Sequence, residues 1–233
     1  MMQKIHVSNQ YTANSSYEKS AIADADVPVM ESALQHTNMK ALSVRTDSGR
    51  GVTLTELPVT GLLVLRTCSE RSALATALKN TLALDLSDVL CANTANNATD
   101  KNSEPLCVRW IAPDEWLLSC PLKDAFSIEN KLRDSLGNVS IAIINVSGGY
   151  TSLALQGVNA IDVLKKSTGY DVHPTNFMPG KVVNTVFAKA QITMRCIDSD
   201  KYELIIRRSF ADYLWHWIQV ASAEYGLNIE TEL

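Results

Sequence analysis

The pattern of hydrophobic and polar residues changes near residue 51. Residues 1–50 are rich in Ser, Thr, Asn and Asp and follow no regular period, which predicts a polar, loosely ordered N-terminal arm with a short helix near Val29–Leu34. After this arm, apolar runs of strand length alternate with segments in which apolar residues recur every three or four positions. This alternation predicts strands and amphipathic helices packed around a shared core.

The segment after residue 51 predicts an ordered succession of elements. The predicted strands are Val52–Leu57, Gly61–Arg66, Leu106–Ile111, Trp116–Cys120, Ser140–Val146, Thr151–Gln156, Val182–Ala188, Gln191–Ile197 and Tyr202–Arg207. The predicted helices are the segment after Ser69 that carries Leu74 and Leu82, then Leu122–Leu136, Asn159–Ser167 and Ser209–Glu224. Gly137 favours the left-handed position that closes a helix, Gly148–Gly149 predicts a tight hairpin turn, and Asn93–Glu104 is a polar insert.

An internal repeat underlies this order. Arg109 and Arg195 begin two similar segments, and at their offset of 86 residues the apolar faces of two predicted helices coincide. The coinciding positions are Ala125, Ile128 and Leu132 in the first helix and Ala211, Leu214 and Ile218 in the second. The repeat predicts an α+β fold of two duplicated ferredoxin-like (split βαβ) halves, residues 51–149 and 150–228, which form one compact body over residues 51–228.

Composition argues against several classes of function. The chain has 233 residues with a formal charge of −4 and a pI near 5.6, which argues against nucleic-acid binding. No apolar run approaches the ~20 residues that a membrane-spanning helix needs, and the N-terminus has no secretory signal pattern. The five cysteines form no C-x-x-C pair and the four histidines are scattered, so we expect reduced thiols, a cytoplasmic location and no metal site.

No catalytic constellation is visible in the sequence. It contains neither the G-x-G-x-x-G motif of dinucleotide-binding folds nor the G-x-x-x-x-G-K-[ST] motif of a phosphate-binding loop. The cysteines in predicted strands are typical of small apolar core residues rather than of nucleophiles. We therefore expect no catalytic residue and no bound cofactor in this chain.

Four residues are candidates for contact with another chain. Arg207 and Arg208 precede the last predicted helix, where cations oppose the helix dipole and indicate an external acidic partner; a solvated pair is the alternative. The apolar stripe predicted for that helix is Phe210, Leu214, Trp217, Ile218 and Ala221. Trp215 lies about 140 degrees from Phe210 around the helix, and Phe126 is similarly displaced on the equivalent helix. Two displaced aromatic residues predict an association surface, with cover by another part of the chain as the alternative.

Four motifs resemble one known family. They are APDEWLL at Ala112–Leu118, NVSGGYTSLALQG at Asn145–Gly157, DVHPTNFMPG at Asp171–Gly180 and RRSFADYLWHWI at Arg207–Ile218. Their sequences and their order resemble the γ subunit of heterotetrameric sarcosine oxidase over roughly residues 52–225. The N-terminal arm has no counterpart in this resemblance.

The resemblance implies a fold similar to the folate-binding domain of aminomethyltransferases and a structural, non-catalytic role. In that family the complex oxidatively demethylates sarcosine to glycine, tetrahydrofolate takes the one-carbon unit as methylenetetrahydrofolate, and oxygen becomes hydrogen peroxide. The α and β subunits hold FAD, covalent FMN and NAD, and the δ subunit holds zinc. We therefore expect the α, β and δ subunits as partners, with tetrahydrofolate as a co-substrate of the complex.

Three alternatives stay open. The chain could be the equivalent subunit of N-methylglutamate dehydrogenase, which is closely related. It could be a stand-alone folate-binding protein of one-carbon metabolism that uses the cleft between the two halves; Asp171 for the pterin ring and Phe177 as an aromatic wall are the nearest candidates. It could also be a general assembly factor that binds client proteins through exposed aromatic residues.

Overall fold

The computed structural model describes residues 31–37, 51–95 and 106–231, and from Ser32 onward these residues belong to one unit of the chain. The strands in this part are β1 (Val52–Glu56), β2 (Gly61–Arg66), β3 (Ala92–Thr94), β4 (Cys107–Ala112), β5 (Glu115–Cys120), β6 (Ala142–Asn145), β7 (Tyr150–Gln156), β8 (Val182–Phe187), β9 (Ala190–Asp198), β10 (Lys201–Arg207) and β11 (Leu227–Thr231). The helices are α1 (Arg71–Leu82), α2 (Ala125–Leu136), α3 (Ala160–Ser167) and α4 (Ala211–Ser222), with short 3-10 turns at Leu122–Asp124, Ser147–Gly149 and Arg208–Phe210.

The strands and helices predicted after residue 51 are all present, with boundaries shifted by a few residues. Gly137 closes α2 with a positive φ of 55°, as predicted, but its ψ of −118° differs from that of a left-handed helical residue. Two strands were not predicted: β3 lies at the start of the polar insert, and β11 follows α4. Most of the insert and most of the N-terminal arm lie outside the described residues.

A short piece of the arm is anchored to the body. Residues 33–36 form a turn in place of the short helix predicted near Val29–Leu34, of which Val29 itself lies outside the described residues. Leu34 is 1% exposed and belongs to the largest core cluster. The Ser32 hydroxyl donates a hydrogen bond to the Glu56 carboxylate at 2.6 Å. The described part of the arm is therefore held by the Leu34 side chain, by the hydrogen bond from Ser32 and by a contact of 3.1 Å between the His36 Nε2 atom and the Asp212 carboxylate on α4.

The strands form two sheets. The six-stranded sheet has the order β11-β1-β7-β10-β9-β8, and the five-stranded sheet has the order β3-β4-β5-β2-β6. The predicted boundary at residue 51 places β1 with the first half, but β1 pairs antiparallel with β7 and parallel with β11. Val52 and Leu54 of β1 are buried in the core of that six-stranded sheet. Their burial is the physical reason why β1 belongs to this sheet.

Each sheet has its own apolar core on its helical side. Residues of α3 and α4 pack on the six-stranded sheet, where Leu155 and Leu204 are fully buried. Residues of α1 and α2 pack on the five-stranded sheet around Leu63 and Trp116. A third cluster of Leu62, Leu117 and Ile205 connects β2 and β5 of one sheet with β10 of the other. Burial of these side chains is the main source of stability.

The hairpin predicted at Gly148–Gly149 is wrong. These glycines lie in the 3-10 turn Ser147–Gly149 between β6 and β7, and the two strands belong to different sheets. The Ser147 hydroxyl accepts a hydrogen bond from the backbone N–H of Leu62 at 2.9 Å, which fixes the turn against β2. The segment is therefore the crossing between the two sheets.

Replacing Ala83 by Gly is expected to raise the free energy of unfolding by about 0.5–1 kcal/mol. Ala83 closes α1 in the left-handed conformation with a φ of 51°, where a Cβ atom is strained and glycine is not. Urea unfolding followed by circular dichroism measures the change. The matched control is Ala75→Gly inside α1, which is expected to lose about 1 kcal/mol. A loss of similar size in Ala83→Gly would contradict the left-handed cap.

Candidate functional site

A buried ion pair connects the two sheets. Arg109 on β4 is 2% exposed and Glu203 on β10 is 8% exposed. The Arg109 Nη2 atom donates to both carboxylate oxygens of Glu203 at 2.8 Å, and its Nη1 atom donates to the Ser119 hydroxyl at 2.8 Å. Burial disfavours the charge of Arg109, yet the adjacent Glu203 carboxylate keeps its pKa above the ordinary value. Arg109 therefore keeps its charge inside the protein.

Arg195 completes the cluster from β9. Its Nη1 atom lies 3.6 Å from a Glu203 carboxylate oxygen and donates to the Cys107 sulfur at 3.2 Å, while its Nη2 atom donates to the Thr94 hydroxyl at 3.1 Å. Arg109 and Arg195 are the two arginines that begin the repeated segments. One carboxylate thus lies between two guanidinium groups that cannot exchange protons near neutral pH. The arrangement is suited to holding the sheets together rather than to acid–base chemistry.

The two folate candidates have different surroundings. Phe177 is 2% exposed, with its ring stacked on Tyr202 at a centroid distance of 5.9 Å and in edge contact with Tyr170 at 5.7 Å. Burial raises the pKa of Tyr202 to about 12, in keeping with an apolar interior. Asp171 is exposed, and its carboxylate accepts a hydrogen bond from the His173 backbone N–H at 3.0 Å. One candidate therefore packs in the core and the other shapes a surface turn.

Trp215 does not lie at the surface of the chain. It is 1% exposed and lies on the buried face of α4, which consists of Ala211, Leu214, Trp215, Ile218, Ala221 and Ser222. The predicted stripe is confirmed for Leu214, Ile218 and Ala221, which are buried, but it is wrong for Phe210, which is 40% exposed. Apolar residues surround much of α4, so the spacing alone allows more than one buried face. Of the alternatives for Trp215, cover by the chain itself is the correct one.

The other three candidates for contact reach the surface. Phe126 on α2 is 73% exposed. Arg207 is exposed, and its guanidinium lies 5.7 Å from the centre of the Tyr150 ring, within the range of a cation–π contact. Arg208 is half-buried in the 3-10 turn before α4. These positions are compatible with contact to another chain.

The described residues form a shallow groove but no cluster of metal-binding side chains. A groove of about 340 Å³ lies between α1 and α2, with small and polar side chains such as Ser72, Thr76 and Asn80. No group of three or more His, Cys, Asp or Glu side chains is placed to hold a metal ion in that part of the chain. None of its helices has the length and apolar character needed to cross a bilayer.

Comparison with known proteins identifies related sequences. The model of the sarcosine oxidase, gamma subunit family matches residues 66–224. Sarcosine oxidase subunit gamma from Corynebacterium sp. (strain U-96) is 28% identical over 119 residues, which are 51% of this chain and 57% of that protein. The corresponding subunit from Arthrobacter sp is 27% identical over 124 residues, or 53% and 60% of the two chains. The matched segment thus spans less than two thirds of these relatives.

Comparison with solved structures extends over more of the chain. A chain of the heterotetrameric sarcosine oxidase from Corynebacterium sp. U-96, in complex with pyrrole 2-carboxylate, superposes with a TM-score of 0.72 at 25% identity, covering 85% of this chain and 97% of that chain. The glycine cleavage system aminomethyltransferase T from Bartonella henselae superposes with a TM-score of 0.56 at 14% identity, covering 85% and 51%. The second likeness concerns the fold alone, an α+β fold with two sheets.

Proposed function

Because the chain belongs to the sarcosine oxidase gamma subunit family, we propose that it is a non-catalytic, structural subunit of a sarcosine oxidase complex. The observation that carries the proposal is the superposition on 97% of a chain of a heterotetrameric sarcosine oxidase. In this role the chain covers part of the surface of a larger subunit and stabilises the active conformation of that subunit.

The proposal assigns the chemistry to the other subunits. The complex would convert sarcosine, tetrahydrofolate and oxygen into glycine, methylenetetrahydrofolate and hydrogen peroxide in the cytoplasm. FAD, FMN and NAD would be held by the α and β subunits and zinc by the δ subunit. The filled interior of this chain supports that division, because Phe177 packs in the core and the cluster of Arg109, Arg195 and Glu203 joins the sheets.

We also infer that the body arose from two ferredoxin-like halves. The order β3-β4-β5-β2-β6 in one sheet corresponds to β8-β9-β10-β7-β11 in the other, with β1 inserted beside β11. The 3-10 turn and helix at Leu122–Leu136 recur 86 residues later at Arg208–Ser222. The inferred halves then run from β2 to β6 and from β7 to β11, with β1 contributed to the second sheet.

Co-expression tests the proposed function. We expect the tagged chain to co-purify with flavin-containing subunits, and the complex to oxidise sarcosine, whereas the isolated chain shows neither flavin absorbance nor sarcosine turnover. Omission of this chain is expected to lower the yield of the assembled complex. Sarcosine turnover by the isolated chain would overturn the non-catalytic role. Tight one-to-one binding of tetrahydrofolate to the isolated chain, measured by calorimetry, would favour a stand-alone folate-binding protein instead.

A further inference from the structure

We propose that an exposed apolar stripe on α4 is the surface through which this chain docks on a larger subunit; the inference rests on the proposed function. The stripe, called the α4 stripe below, consists of Phe210, the residue before α4, and of Tyr213, the half-buried Trp217 and Val220 on the helix. These residues are spaced by three, four and three positions, which places them on one side of the helix. Phe210 is 40%, Tyr213 36% and Val220 74% exposed.

The α4 stripe is separate from the face that the fold buries. The buried face of α4 includes Leu214, Trp215 and Ile218, which pack in the core of the six-stranded sheet. At 100 degrees per residue, the centre of the stripe lies roughly 120 degrees from the centre of that face. The fold therefore explains one apolar face of α4. On the other side, Trp217 packs partly against the same core, whereas Phe210, Tyr213 and Val220 stay exposed.

The internal repeat supplies a control within the same molecule. α2 and α4 have the same length, follow equivalent 3-10 turns and bury equivalent positions. The positions of α2 that correspond to the α4 stripe are Asp124, Ser127, Lys131 and Asp134. Since the same scaffold tolerates four polar residues there, packing does not require the aromatic and aliphatic residues of α4. Such an exposed apolar patch is typical of a protein interface.

The stripe is held rigid by α3. The Trp217 indole N–H donates to the Ser167 hydroxyl at 2.9 Å. Lys166 forms a hydrogen bond and an ion pair with Glu224 and also donates to the carbonyl of Ala221 at 3.1 Å. Because these contacts fix the helix and one aromatic ring before association, less conformational entropy is lost on docking. Large aromatic anchors of this kind are frequent at the centres of interfaces.

The charges beside the stripe specify the partner surface. Arg207 and Arg208 lie at the N-terminal end of α4, where the helix dipole opposes cations, in a chain whose net charge is −4. The Arg207 guanidinium lies over the Tyr150 ring, and Arg207 precedes Phe210 by three residues in the chain. The occupant that fits is a surface of the larger subunit with an apolar centre and carboxylates facing Arg207. A matching apolar surface gives affinity, and the charges give orientation.

The internal repeat also indicates which substitutions test the proposal. Tyr213→Ser combined with Val220→Asp gives α4 the side chains that α2 carries at the same positions. We expect this double variant, co-expressed with the larger subunits, to bind them about tenfold or more weakly than the unmodified chain, with an unchanged circular dichroism spectrum. Val220→Asp alone, at a position 74% exposed, repeats the test without touching Tyr213. Val89→Asp is the matched control, since Val89 is 56% exposed on a turn of the first half.

Each outcome has a defined meaning. Weaker binding by both α4 variants, with Val89→Asp unaffected, supports the docking surface. Equal binding by the unmodified chain and the α4 variants overturns the docking surface and leaves the proposed function intact. Equal weakening by Val89→Asp overturns it as well, because the loss would then follow from any added charge. Failure of the unmodified chain to bind the larger subunits overturns the proposed function itself.

Discussion

Replacement of Glu203 by Gln is expected to lower the free energy of unfolding by about 3–5 kcal/mol. The carboxylate lies between Arg109 and Arg195, and the amide keeps its volume but not its charge. The guanidinium of Arg109, which is 2% exposed, then remains in the interior without a counter-charge, and the half-buried guanidinium of Arg195 loses its neighbouring carboxylate. Most domains have only about 5–15 kcal/mol of stability, so a large fraction is lost. Urea unfolding followed by circular dichroism measures the change.

A surface pair provides the control for this experiment. Lys79 and Asp85 form an ion pair of 2.8 Å between exposed side chains, so Asp85→Asn is expected to lose less than about 1 kcal/mol. Equal, small losses in Asp85→Asn and Glu203→Gln would show that the buried cluster does not hold the sheets. Combining Arg109→Met with Glu203→Leu should recover the part of the loss that comes from Arg109. A leucine is compatible with this position because its equivalent in the first half is Leu117, a buried residue of the cluster between the sheets.

The sequence alone could predict the elements because their signals are local. The alternation of apolar and polar residues in β1 and the residue after α2, Gly137, each depend on a few neighbouring positions. The partner of a strand has no such local signal. Val52 and Leu54 indicate a buried face in either sheet, and only the long-range pairing with β7 and β11 decides between the two. For the same reason Gly148–Gly149 resembled a hairpin turn although it connects different sheets.

The candidate site residues, too, could be predicted only where a local sequence signal marks them. Arg109 and Arg195 were matched by the repeat, and a charged residue inside an apolar strand was a signal of a buried ion pair. Their common partner Glu203 carries the same signal, a charged residue inside an apolar strand, but the repeat does not mark it, because the equivalent position is Leu117. Phe177, in a loop between α3 and β8, gave no periodic signal that would have predicted its burial against Tyr202.

The two faces of α4 connect the fold with the proposed docking surface. A single sheet can cover the apolar residues on only one side of a helix. In α2 the side that corresponds to the α4 stripe is polar. The sequence pattern indicates that both sides of α4 are apolar, and the structure shows which of the two sides packs on the sheet. The prediction of an association surface on this helix therefore remains, but its residues change from Trp215 to the α4 stripe.

Replacement of Trp215 by Ala is expected to destabilise the chain by about 3–5 kcal/mol, because it leaves a large cavity in the core of the six-stranded sheet. Trp215 is 1% exposed and is among the largest fully buried side chains. Tyr213→Ala, two residues away on the exposed side of α4, is the matched control and should change the free energy of unfolding by less than about 1 kcal/mol. Urea unfolding of the isolated chain gives both values. An unchanged stability of Trp215→Ala, with binding to the larger subunits lost, would instead identify Trp215 as an interface residue, contrary to its burial in the chain.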